Sequence, residues 1–156
     1  MKQLLSLFLI FGFVISCKSK EEKKLVIAKP TIKEINLPSV TNDMINKMLR
    51  EVDYIDYIFH DLPISVSQDE KESINSNIVF IKNEAVKSIP INCKAIGRKF
   101  YNIKGETYLA ADIYFGEGCA VYIFLDGEKP VYANTMTEQG IAFYNNVIAA
   151  GKKQAQ

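Results

Sequence analysis

Three alternating stretches, 95–103, 106–115 and 120–125, constrain this chain more than anything else in it. Each is rich in aromatic and β-branched residues, the composition of a strand. The breaks between them are short: Lys104-Gly105, then Gly116-Glu117-Gly118. Two-residue and three-residue connections of this kind join antiparallel neighbours. A shorter strand at 131–134 follows Asp126-Gly127-Glu128-Lys129-Pro130. The pattern predicts a four-stranded antiparallel meander.

With Lys104-Gly105 as the first turn, Tyr101 should face Tyr108, Lys99 should face Ala110, and Gly97 should face Asp112. Across the second turn Asp112 should meet Tyr122, and Ala110 should meet Phe124. One sheet face then collects Ile96, Phe100, Leu109, Ala111, Ile113, Phe115, Val121, Ile123 and Leu125. The other collects Lys99, Tyr101, Tyr108, Asp112, Tyr114, Tyr122 and Phe124. A slip of one residue would exchange faces, so the partition argues for this register. Arg98 is the misfit on the apolar face and needs a carboxylate or a sheet edge.

Outside the meander the period changes. Ile45, Met48, Leu49, Val52, Ile55 and Phe59 recur at helical spacing, predicting a helix over 42–60 with Thr41 as its cap and Pro63 beyond its end. Ser67-Gln68-Asp69-Glu70 reads as a capping box that opens a second helix, with Ile74, Ile78 and Ile81 on one face. A third helix starts near Thr137 and aligns Ile141, Tyr144 and Ile148. The expected class is α+β: two N-terminal helices, a four-stranded antiparallel β-meander and a C-terminal helix.

The N-terminus is different in kind. Residues 4–15 are apolar apart from Ser6 and Gly12, and Lys2 is the only charge before Cys17. Twelve helical residues rise about 18 Å, short of the ~30 Å hydrocarbon core. A charged start, a short apolar core and a small residue at its end describe a secretory signal. Val14-Ile15-Ser16-Cys17 resembles the lipobox of bacterial lipoproteins. The resemblance implies that the signal is cut before Cys17, that the Cys17 sulfur is diacylated and that the new amine is acylated. Several acyl chains hold a protein stably where one does not. Residue 18 is lysine, not the aspartate that often retains lipoproteins at the inner membrane. Lys20-Glu21-Glu22 is similar to the export tags of some Gram-negative surface lipoproteins. The expected place is the cell envelope, at the outer membrane of a Gram-negative bacterium, on its periplasmic or surface face.

Cleavage after Ser16 leaves 140 residues and a formal charge of zero, because Lys2 is the only charge lost. No basic surplus remains to attract nucleic acid. The domain plan is a signal peptide at 1–16, a lipid-anchored tether at 17–38, one α+β domain at 39–151 and a disordered tail at 152–156. With Cys17 committed to lipid, Cys93 and Cys119 remain as a disulfide or as two buried thiols. An oxidising envelope favours the bond. In a simple meander the first and third strands stand roughly 9–10 Å apart, too far for bridged Cα atoms. Both cysteines fall just outside the strands at one end, where a curling loop can close the gap.

Chemistry-bearing residues are few. His60 is the only histidine, and Asp56 precedes it by four residues. On a helix the pair would touch and could act as a general base beside Ser65 or Ser67, which is the hydrolase reading. A histidine at a helix C-terminus is equally explained by the macrodipole. No zinc or calcium spacing occurs, and nothing calls for a cofactor. The favoured surface is the aromatic face, with Tyr101, Tyr108, Asp112, Tyr114 and Tyr122 as the ligand- or partner-binding set. The alternative is that helices cover it. The sequence therefore suggests a lipid-anchored envelope protein that binds a partner protein or small ligand, with the His60–Asp56 hydrolase second. A subunit of an envelope complex, marked by a larger exposed apolar patch, is third.

Overall fold

A computed structural model describes residues 32–116 and 118–154. The signal segment, Cys17 and the tether up to residue 31 lie outside the described residues, as do 155–156. Among the described residues the protein is α+β with three helices, and its main sheet has seven strands in the order β3-β2-β6-β7-β8-β9-β4, every pair antiparallel. The expected meander forms its centre as β6 (Ala95–Ile103), β7 (Glu106–Gly116), β8 (Cys119–Asp126) and β9 (Lys129–Met136). Lys104 and Gly105 both take positive φ, 53° and 82°, as a two-residue hairpin turn requires.

Three further strands join the sheet. The predicted helix over 42–60 is instead α1 (Asn42–Glu51), capped by Thr41, followed by β2 (Tyr54–Phe59). Ile55, Tyr57 and Phe59 are all buried, and their period is two rather than 3.6. Spacings of three and four had merged a helix and a strand. Ser67 caps nothing: it lies in β3 (Ser65–Gln68), which pairs with β2. The second helix, α2, starts later, at Lys71–Ile78, with Glu70 at its N-cap and no side-chain cap bond. Only α1 therefore precedes the sheet. Ile81, assigned to the second helix, opens β4 (Ile81–Ala85) on the far edge beside β9.

The register differs by one residue, and this decides the faces. A bulge between the Asn102–Thr107 and Tyr101–Leu109 pairs absorbs Tyr108. Beyond it Lys99 faces Ala111, Arg98 faces Asp112 and Gly97 faces Ile113. The next turn closes with Gly116 opposite Cys119, so Tyr122 faces Ile113 and Phe124 faces Ala111. Tyr101, Tyr122 and Phe124 thus join Leu109, Ala111 and Ile113 on one face. All six pack with Met48 of α1, Ile74 and Ile78 of α2, and Tyr144 of α3 (Glu138–Gln154). The helices lie on this face. Gly97 is held close: a Cβ there would stand 2.5 Å from the Ile58 carbonyl oxygen.

The opposite face carries a smaller cluster of Ala110, Val121, Ile123, Leu125 and Ala133. It is covered by a two-stranded ribbon, β1 (Ile32–Glu34) with β5 (Ser88–Pro90), and by Val86, Ile89 and Cys93. Residues 32–38, expected in the tether, are therefore docked: Ile35 N–H donates to the Lys87 carbonyl, and Ala133 N–H donates to the Pro38 carbonyl. Asn134 pins the crossing from ribbon to α1. Its side chain accepts from Val40 N–H at 2.9 Å and donates to the Lys82 carbonyl at 3.0 Å. Lys152, Lys153 and Gln154, expected in the tail, close α3.

Candidate functional site

The aromatic set chosen from the sequence is split between the two faces. Tyr101 and Tyr122 are fully buried under the helices. The binding surface proposed for them is corrected: the helices cover that face, the alternative stated above, and the one-residue shift moves Asp112 and Tyr114 off it. Tyr108 sits at the bulge, half-buried, with Lys47 Nζ 4.7 Å from its ring centre. Asp112 and Tyr114 lie on the other face, beside Arg98. The His60–Asp56 couple is also undone. Both residues are on strand β2 or its end, where four residues span about 13 Å rather than one helical turn. Asp56 accepts from Ser67 Oγ at 2.9 Å across the β2–β3 pair. His60 is exposed, with Nδ1 3.2 Å from the Ala95 carbonyl oxygen. Ser67, offered as a nucleophile, thus faces Asp56 and not the imidazole. Cys93 and Cys119 form a disulfide with Cα atoms 5.9 Å apart, tying the turn after β5 to the start of β8.

Under the helices Lys99, Tyr101 and Tyr122, which the sequence placed on one face, form a buried cluster with Tyr57 and Tyr144. Lys99 is 0 % exposed. Its Nζ lies 3.9 Å from the Tyr122 ring centre, 4.8 Å from Tyr101 and 6.0 Å from Tyr57. It donates to Asn77 Oδ1 at 3.2 Å, and Asn77 Nδ2 donates to Gln68 Oε1 at 3.0 Å. Among the described residues no carboxylate pairs with it. Burial lowers its pKa well below the usual lysine value. Burial likewise raises the phenols of Tyr57, Tyr101 and Tyr144. The Tyr122 and Tyr144 hydroxyls meet at 3.2 Å. The cluster is sealed, so it locks β2, β6, β8, α2 and α3 together rather than meeting a ligand.

The accessible candidate is the part of the opposite face that the ribbon leaves bare. Residues of alternating parity on β2, β3 and β6 point there: Tyr54, Asp56 and Ile58, then Ser65 and Ser67, then Arg98 and Phe100. Ile58 is 54 % exposed and Tyr54 38 %. Arg98 finds the carboxylate its position demanded. Its Nε and Nη2 bond both oxygens of Asp112 at 2.7 and 3.3 Å, and Nη1 bonds Glu128 at 3.0 Å. The Asp112 bonds, then those to Glu128, push the guanidinium pKa further up. Such a fork fixes the arginine on Asp112, its cross-strand neighbour on β7, with Ile58 its neighbour on β2. The patch thus mixes Tyr54, Ile58 and Phe100 with polar groups: Arg98 is ion-paired, and Asp56 accepts from Ser67. A hollow of about 360 Å³ at its margin is lined by Arg98, Phe100, Tyr108, Leu125 and Glu128. A separate cleft of about 750 Å³ runs between residues 84–90 and the Cys119–Val121 backbone, with no histidine in its walls.

Among the described residues no group of three or more histidines, cysteines and acids is placed to hold a metal ion, and no helix is long and apolar enough to cross a membrane. No family model, no curated protein and no solved structure matches the chain.

Proposed function

We propose that the chain is a lipid-anchored envelope protein, held by acyl chains on Cys17 at a Gram-negative outer membrane, whose domain binds a partner protein through the bare half of its sheet. The observation that carries this reading is the asymmetry of cover. Among the described residues the three helices pack on one face, and the ribbon covers only part of the other, leaving Tyr54 and Ile58 exposed, with Phe100 and the Arg98–Asp112 pair partly exposed beside them. Aromatic residues and arginine are the types enriched in protein interfaces. A charge already held by Asp112 adds specificity without ordering a free side chain on binding. Antiparallel sheets commonly leave one face to solvent, but that face is then polar.

The test compares Ile58→Asp with Val79→Asp in gently solubilised envelopes. Val79 is equally exposed, at 52 %, but sits at the end of α2 on the helix side. The Ile58 variant is expected to elute as free lipoprotein while wild type and the Val79 variant elute in a larger complex. Equal elution of all three would reject the face.

A further inference from the structure

Among the described residues five large apolar side chains are markedly exposed, and the two most exposed stand together: Ile91 at 66 % and Ile32 at 57 %. Ile32 pairs with Pro90 across the β1–β5 ribbon, and Ile91 is the next residue. An exposed lysine, Lys94, follows the turn, while Lys33 stands opposite buried Ile89 and so lies on the other face of the ribbon from Ile32. Scattered single isoleucines need no explanation, but two side by side at one corner make a small patch. The corner is also where the chain arrives from Cys17, with 14 residues between Cys17 and Ile32.

We propose that this corner is a second membrane contact, in which Ile32 and Ile91 enter the interface of a bilayer and Lys94 meets its phosphates. This rests on the lipid-anchor reading. The length of chain makes the contact easy to satisfy. Fully extended, 14 residues reach at most about 50 Å. Whatever path they take, the corner stays within about 50 Å of the acyl chains, an effective concentration on the order of millimolar. A patch too weak to bind a membrane alone is then sufficient. Lysine suits the edge of such a patch, because its stem lies along apolar surface while its ammonium reaches the headgroups. Glu34 shares the outward face of β1 with Ile32 but lies two residues further in, about 7 Å along the strand. Seating this corner turns the ribbon toward the membrane and fixes the orientation of the domain.

The chain has no tryptophan, so a single introduced indole reports its own surroundings. Ile91→Trp and Val79→Trp are made in the full acylated chain and placed in phosphatidylethanolamine–phosphatidylglycerol vesicles with brominated acyl chains. Acylation is followed in parallel by mass. Ile91→Trp is expected to lose about half its emission relative to unbrominated vesicles and to shift to the blue, as an interfacial residue does. Val79→Trp should stay unquenched, and adding Ile32→Asp should restore much of the Ile91→Trp emission. Acylated protein with neither reporter quenched, or with both quenched equally, overturns the corner and leaves the anchor. Unacylated protein with Ile91→Trp still quenched leaves the corner and removes the anchor. Unacylated and unquenched protein overturns both.

Discussion

Replacing Lys99 by methionine should stabilise the protein at neutral pH, although lysine is held there by a hydrogen bond and three rings. Methionine fills a similar volume without an amine. Burial lowers the lysine from its ordinary pKa of 10.5, and each pH unit of lowering costs about 1.4 kcal/mol at any pH below the lowered value. The substitution would leave Asn77 Oδ1 without its donor, which costs ~1–3 kcal/mol. The net expectation at pH 7.5 is a gain, on the order of 1 kcal/mol or more, as when a buried charged group is replaced by an apolar one of similar volume. The sign of the pH dependence follows from the lowered folded pKa. Between that value and 10.5 the unfolded chain binds more protons, so wild-type stability rises with pH at up to about 1.4 kcal/mol per unit. The advantage of Lys99→Met should therefore shrink as pH rises toward 10.5. The surrounding phenols do not interfere below that point, since burial raises their pKa values. Urea unfolding of both proteins at several pH values between 6 and 10, with the disulfide intact, measures the difference directly. Parallel stabilities across that range, or a methionine variant that is less stable at pH 7.5, would refute the reasoning.

The faces can be tested by truncation. Tyr122→Ala should cost ~3–5 kcal/mol because its ring is fully buried, whereas Ile58→Ala should stay within about 0.5 kcal/mol, as read from thermal melts. Gly97→Ala should cost ~1–3 kcal/mol, since its Cβ would meet the Ile58 carbonyl oxygen at 2.5 Å and force β2 away from β6; a melt equal to wild type would contradict that contact. Cys93→Ser with Cys119→Ser opens a link of sequence separation 26 and should lower stability by about 3.5 kcal/mol in denaturant titrations.

The four central strands and the Lys104-Gly105 turn were legible because alternation over eight or more residues is a strong signal and the turn demands positive φ. The faces were not. A single extra residue at Tyr108 leaves no mark on the alternation of either strand, yet it exchanges every side chain beyond it. Arg98 carried the one clue. An arginine that spoils an apolar face is better read as a residue opposite an acid, and Asp112 is one residue beyond the partner that an unbulged register gives Arg98. The stretch 42–60 misled because a ten-residue helix runs within three residues into a strand, and Ile55 and Phe59 satisfy both periods. β1, β4 and β5 are three to five residues long, too short for periodicity to register. Alternation had already grouped Lys99, Tyr101 and Tyr122 on one face; what it did not decide is that the helices lie on that face.

The most direct test of the partner-binding face is site-specific photocrosslinking in living cells. A photoreactive side chain is placed at Ile58 on the bare half of the sheet, or at Val79 on the helix side, in the full lipidated chain. The account predicts a discrete crosslinked protein from position 58, lost when Phe100→Asp is added, and none from position 79. Identical products from the two positions, or none from position 58 in intact envelopes, would contradict it.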